Sequence, residues 1–204
     1  MARIRERNNE LIIEAASKVF AECGFAATKT VDIAKLAGVP KPNVYYYFKS
    51  KENLYRSVLE SITQPLLQAS EPLLNNDDPV VAFKAYIRAK LQISKQHPHA
   101  SKVFASEIMH GAPHLPEDIK QQLMEQTRTS TARIQSWIDQ GLMAKVDPQH
   151  LLFSLWASTQ TYADFDWQIT AVTGRDELTD SDFETAASLI EQLVLKGCEV
   201  RSPA

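Results

Sequence analysis

Apolar residues along this chain recur at intervals of three and four, and no stretch alternates apolar with polar for long enough to propose a strand. The pattern predicts an all-α protein. A first stripe of Leu11, Ile12, Ala15, Ala16, Val19 and Phe20 makes one helix, which Gly24-Phe25 ends. The next apolar set, Ile33, Ala34, Ala37, Val39, Val44 and Phe48, is interrupted at Gly38, where a turn between two short helices needs a backbone that tolerates positive φ. The earlier helix should end near Ala37. The later one should run from about Lys41 to Phe48, with Pro42 in the first turn, where its missing N–H costs nothing.

Further on, Lys51 to about Gln68 carries Leu54, Val58 and Ile62 on one face, and Asn75-Asn76-Asp77 breaks the pattern. Asp78-Pro79 and Asp147-Pro148 each read as an N-cap and first helical residue. The first pair opens a helix through Phe83, Ile87, Leu91 and Ile93 that stops before Pro98, and the second opens one that could reach Val172 before Gly174. Between them lie helices from Ala100 to His110 and from about Pro116 to Gln140; a last runs from about Asp182 to Lys196, capped by Gly197. Nine or ten helices are expected. The first three form a head, residues 1–50, and the rest a body, residues 51–204.

Two short helices about a tight turn are the arrangement that places a helix in the DNA major groove. If Val44 and Phe48 face the core, Pro42, Asn43 and Tyr46 point away from it and could touch bases. Tyr45 and Tyr47 flank the buried stripe, where a phenol reaches sideways to a phosphate, and Lys41, Lys49 and Lys51 bracket the helix with positive charge. With Thr30 at the start of the segment, these nine residues are the candidate DNA contacts.

Composition changes the picture little. The chain has 204 residues, 44% of them apolar, enough for a sizeable core, and a net charge of −3. Charge is unevenly spread: residues 1–60 hold ten Lys and Arg against seven Asp and Glu, while the other 144 hold twelve against eighteen. A mildly basic head on an acidic body would turn the head toward DNA. No run of about 18 apolar residues occurs and the start lacks a secretory stretch, so a cytoplasmic protein without a membrane partner is expected.

Chemistry other than binding finds no support. Cys23 and Cys198 are too few and too far apart for a disulfide framework or a zinc site. His97, His99, His110 and His114 do not share a helical turn, and Gly111 and Pro113 separate the second pair. There is no phosphate loop, nucleophile elbow or HExxH. Neither a metal, a cofactor nor an enzymatic activity is expected.

The last two helices carry more apolar surface than one core-facing stripe needs. Leu151 to Trp156 is almost wholly apolar, and Phe183, Ala186, Ala187, Ile190, Leu193 and Val194 recur at helical spacing. A second buried face implies a partner. On the helix from Pro148, one face holds Trp156, Thr159, Gln160, Ala163 and Trp167, the other Leu151, Leu155, Ser158, Tyr162, Phe165 and Ile169. The first combines a stacking surface with an amide whose paired donor and acceptor match an amide or imide edge.

The segment Gly38, Val39, Tyr45, Tyr46, Phe48, Lys49, Lys51 resembles the DNA-binding signature of the TetR family of bacterial regulators, as does the helix before it. The stretches AYIRAKLQISKQHPHASKVF, EIMHGAP and DPQHLLFSLWASTQTYADF resemble its pyrimidine-utilisation repressor branch, over about Leu11 to Gly197. That resemblance implies a three-helix head on a helical body and a homodimer built through the last two helices. It also implies a palindromic double-stranded operator, and release by a small uracil-like effector. The candidate effector residues are then Phe104, Glu107, Trp156 and Gln160. A TetR-type repressor answering to a non-pyrimidine molecule is the alternative.

Overall fold

The computed structural model describes residues 2–203, with side chains from residue 5 onward. Its regular structure consists of eleven helices and no strand among the described residues. In chain order they are α1 (Ala2–Ala27), α2 (Thr30–Leu36), α3 (Lys41–Phe48), α4 (Lys51–Ala69), α5 (Glu71–Asn75), α6 (Pro79–Gln96), α7 (Pro98–Met109), α8 (Glu117–Asp139), α9 (Pro148–Asp164), α10 (Asp166–Thr173) and α11 (Asp180–Gly197). The all-α reading holds, with two elements more than the pattern separates.

One addition is the single turn of α5. The other comes from a break at Phe165, where φ −118° and ψ 29° end the helix that was expected to continue to Val172. Asp166 turns its carboxylate onto the N–H of Trp167, a local bond that competes with the helical ladder. Phe165 and Trp167 are exposed, so no burial opposes the break.

The chain divides into two compact units, residues 1–64 with 99–119, and residues 65–98 with 120–204. The first therefore contains the head, most of α4, and α7 with the loop behind it. Its core is built from the expected stripes: Ile12, Ala16, Val19 and Phe20 of α1 meet Ile33 and Ala34 of α2, Val44 and Phe48 of α3, and Leu54, Val58 and Ile62 of α4, all buried. Burying each such side chain contributes about 1.5–3 kcal/mol before entropy is counted.

Two glycines shape this unit. Gly38, at φ 67°, ends α2 as a Schellman cap: its N–H reaches the carbonyl of Lys35 and that of Val39 reaches Ala34. Gly24 interrupts α1 at φ 72° and ψ 167°, a conformation closed to side-chain-bearing residues, at the point where the sequence pattern places the helix end.

The second unit packs α6 against α9 and α11 around Phe83, Tyr86, Ile87, Leu91, Trp137, Leu152, Leu155, Ala187 and Ile190. Both Asp-Pro starts behave as the sequence expects. Asp78 accepts from the N–H groups of Val80 and Val81, and Asp147 from that of His150.

Candidate DNA interface and effector face

In the first unit, α3 is held by two buried residues one turn apart, Val44 and Phe48. That anchoring turns the opposite side outward: Lys41, Pro42, Tyr45, Tyr46 and Lys49 are exposed, Asn43 and Tyr47 half-buried, and Tyr46 is 61% exposed. The ammonium of Lys49 lies 5.5 Å from the Tyr46 ring and donates to the Tyr46 carbonyl at 3.0 Å; that of Lys41 lies 6.0 Å from the Tyr45 ring. A cation over an aromatic face is held by the ring quadrupole while keeping donors for an anion.

Four of the candidate contacts, Thr30, Tyr45, Tyr47 and Lys51, already have hydrogen-bond partners within the protein. Thr30 is buried and shares a 2.9 Å hydrogen bond with the Tyr45 hydroxyl. The Tyr47 hydroxyl accepts from Asn8 at 3.4 Å. Lys51 donates to the carbonyls of Phe25, Ala26 and Thr28 at 2.8, 3.2 and 3.1 Å, which uses all three of its donors. The first two carbonyls belong to the end of α1 beyond the Gly24 kink and the third follows it, where helical partners have run out.

Behind α3 the backbone is strained. Lys49 adopts φ 65° and ψ −44°, and the N–H of Ser50 returns to the carbonyl of Phe48 at 2.7 Å. This is a three-residue turn of the rare, strained kind, with a lysine where glycine would cost less. It separates α3 from α4 in two residues.

Of the four expected effector residues, Phe104 and Glu107 belong to the first unit, one turn apart on α7, and Trp156 and Gln160 to the second, one turn apart on α9. Phe104 is half-buried. Glu107 is only 3% exposed and its carboxylate is in use: it accepts from the Tyr55 hydroxyl at 3.1 Å and from the backbone N–H of His114, and lies 3.2 Å from His114 Nδ1. Gly111 and Ala112, both at positive φ, fold the loop back to bring His114 there. The imidazole then lies against Phe25 and Tyr55, with ring centres 4.7 and 5.2 Å away. Burial and the Glu107 charge push the Tyr55 hydroxyl well above its ordinary pKa.

On α9 the buried stripe is Leu152, Leu155, Thr159 and Ala163, with Trp156 and Gln160 half-buried beside it. The break at Phe165 removes Trp167 from the face expected for it and leaves it 79% exposed. The Trp156 indole donates to the Tyr86 hydroxyl at 2.9 Å, and burial pushes that phenol up to about 12. The sequence reading missed Tyr86 and, more consequentially, Lys90, a charged residue among the apolar positions Phe83, Ile87 and Leu91 that is only 8% exposed. A helical projection of α6 carries that signal, since a lysine at the margin of a buried stripe is out of pattern.

The outer side of the second unit keeps large apolar residues in solvent: Phe153 on α9 is 47% exposed, and Leu189 and Leu193, one turn apart on α11, are 53% and 63% exposed. Among the described residues no three His, Cys, Asp or Glu side chains are grouped to hold a metal, and no helix is long and apolar enough to cross a membrane.

A Schellman-capped helix followed by an anchored helix with an outward aromatic and basic face defines a helix-turn-helix transcriptional regulator. Comparison with known proteins agrees. Residues 12–58 match the family described as bacterial regulatory proteins, tetR family, and residues 59–201 match the C-terminal region of YcdC-like proteins. The chain is 38% identical over 200 residues to the HTH-type transcriptional regulator RutR of Escherichia coli K12, covering 98% of this chain and 94% of that one. It is 29% identical over 194 residues to the uncharacterized HTH-type regulator YhgD of Bacillus subtilis, covering 92% and 95%. The ketosteroid transcriptional regulator KstR2 of Mycobacterium tuberculosis superimposes with a TM-score of 0.77 at 19% identity, over 94% of each chain. The protein belongs to the TetR family of transcriptional regulators. It is a regulator and not an enzyme.

Proposed function

We propose that this protein is a ligand-responsive repressor that binds a palindromic operator as a homodimer and is released by a pyrimidine-like effector. The observation that carries the DNA half of this reading is the orientation of α3. Val44 and Phe48 anchor it, so Pro42, Asn43 and Tyr46 face outward between Lys41 and Lys49. Base edges would be read by the first three and phosphates by the lysines and Tyr45. The exposed Phe153, Leu189 and Leu193 support a dimer through α9 and α11, because apolar groups at helical spacing are covered when a second copy supplies the matching surface.

Two heads then meet two half-sites about 34 Å apart, and their separation becomes the quantity an effector controls. An effector releases DNA only by as much as it prefers the released conformation. The pyrimidine reading rests on the body motifs, on full-length similarity to RutR, and on the pairing of Trp156 with Gln160 on one face of α9. A DNA target supports a cytoplasmic setting for its action.

The test is a mobility-shift titration on the DNA upstream of the protein's own gene, with and without uracil. A salt-dependent complex that uracil dissolves is expected, and Tyr46→Ala should abolish it. A complex indifferent to every pyrimidine would keep the regulator and remove the effector class. Absence of any complex would remove the operator assignment.

A further inference from the structure

Helix α1 starts well before the core does. Its first buried residue among those described is Ile12, so residues 2–11 project about 15 Å ahead of the packed part of the first unit. None of the side chains from Arg5 to Leu11 is buried. Helix without tertiary cover gains little stability of its own over so few turns.

This projecting stretch is tied to α3. Asn8 donates through Nδ2 to the Tyr47 hydroxyl at 3.4 Å, and the Tyr47 ring stands edge-on to that of the outward Tyr46, with centres 5.2 Å apart. At about 100° per residue, Arg5 and Arg7 fall on the two flanks of Asn8, and Glu6 and Glu10 fall on the opposite side of the helix. Both arginines are exposed, and neither guanidinium has a hydrogen bond or ion pair among the described residues, although glutamates are its neighbours in sequence. An α-helix occupies the width of the major groove, about 12 Å. With α3 in that groove, an element that meets its flank, as α1 does through Asn8, stands over the sugar–phosphate strand at the groove's edge.

We infer that Arg5 and Arg7 bind backbone phosphates of the DNA beside the groove that α3 enters, so that the interface extends from α3 onto the first turns of α1. The inference rests on the reading of α3 as the groove-bound helix. A guanidinium fork matches two phosphate oxygens at once and stays charged at any working pH. Contacts of this kind carry affinity and register and leave sequence choice to Pro42, Asn43 and Tyr46.

Anisotropy titrations of the full chain test this, on the duplex upstream of its own gene and on an unrelated duplex of equal length, over a series of salt concentrations. Arg5→Gln with Arg7→Gln should weaken both complexes alike, by about tenfold or more at low salt, and should make the slope of log affinity against log salt shallower by about 3.6, the sum for four phosphates over two heads. Adding Glu6→Gln and Glu10→Gln restores the net charge, and the loss should persist because the lost contacts are not restored. Both variants should melt with the wild type, since neither arginine is buried. An unchanged slope in the double variant, a loss confined to the upstream duplex, or recovery in the charge-restored variant overturns the inference and leaves α3 as the reader. A wild type that binds neither duplex overturns both.

Discussion

Lys51 donates to the carbonyl of Phe25 at 2.8 Å and places its ammonium 4.7 Å from the centre of the same residue's ring. The first residue of α4 thereby caps the last turn of α1 across 26 positions of sequence. Three carbonyls at and just beyond the end of α1 are satisfied by one side chain.

Removing that cap should cost stability before it costs DNA contacts. Lys51→Met is expected to destabilise by about 1.5–3 kcal/mol, the range for hydrogen bonds to a charged group. Urea unfolding reads the loss, and the salt dependence of operator binding should keep its slope. A slope reduced by about one unit, with unchanged stability, would assign Lys51 to a phosphate instead.

Lys49 should behave in the opposite sense. Its φ of 65° favours glycine, so Lys49→Gly should stabilise the fold, or leave it unchanged, by relieving about 1 kcal/mol of backbone strain. The same change removes the ammonium over Tyr46 and should weaken operator binding with a shallower salt slope. Anisotropy titrations at several salt concentrations, paired with thermal melts, separate the two effects.

Glu107 holds the loop behind α7 to Tyr55 and His114, all within the first unit. Glu107→Ala strands a buried phenol and a backbone N–H, and should cost about 3 kcal/mol or more. Hydrogen exchange should show new opening at residues 110–115. If only effector affinity falls while the melt and exchange stay unchanged, Glu107 belongs to the ligand and not to the loop.

Lys90 gives stability an unusual pH dependence. Its pKa is lowered by burial to about 8 from 10.5, so between those values the unfolded chain holds more protons and stability rises with pH. Below pH 8 the penalty is constant, on the order of 3 kcal/mol. Above pH 10 the phenols act in reverse: burial raises Tyr86 to about 12 and Tyr55 also upward, the folded chain keeps their protons longer, and stability falls. Denaturant midpoints should therefore climb from pH 8 toward 10 and then decline. Lys90→Met should flatten the climb and raise stability at pH 7.

Leu193→Glu places a charge on the exposed apolar column of α11. Under the dimer proposal it should yield a folded monomer in sedimentation velocity and lose operator affinity severely, since a single head retains only its own half-site. An unchanged oligomeric state would move the interface elsewhere.

The helices of the head were legible because each depends on a local pattern. A four-residue stripe fixes which side of α3 is buried, and so which side Asn43 and Tyr46 take; Gly38 and the two Asp-Pro pairs mark ends through backbone chemistry that no distant residue alters. The end of α9 was not legible, because apolar periodicity continues past Phe165 while the break goes with a local bond from the Trp167 N–H to the Asp166 carboxylate. The roles of charged residues were least legible. Lys51, Glu107 and Lys90 read as flanking charge, a possible pocket carboxylate and nothing in particular, yet one caps α1, one is buried under His114 and one is buried on α6 within reach of the Asp164 charge.

Sequence alone determined the all-α class, the helix-turn-helix and its outward residues, since these follow from periodicity, capping and spacing within a few turns of chain, and its motifs carried the resemblance to the family. Tertiary structure alone decided which of the polar side chains are spent and which are free. That depends on what sits across from each one, 26 positions away for Lys51 and 70 for the Tyr86–Trp156 pair, and hydrogen bonds between such distant groups leave no period in the sequence.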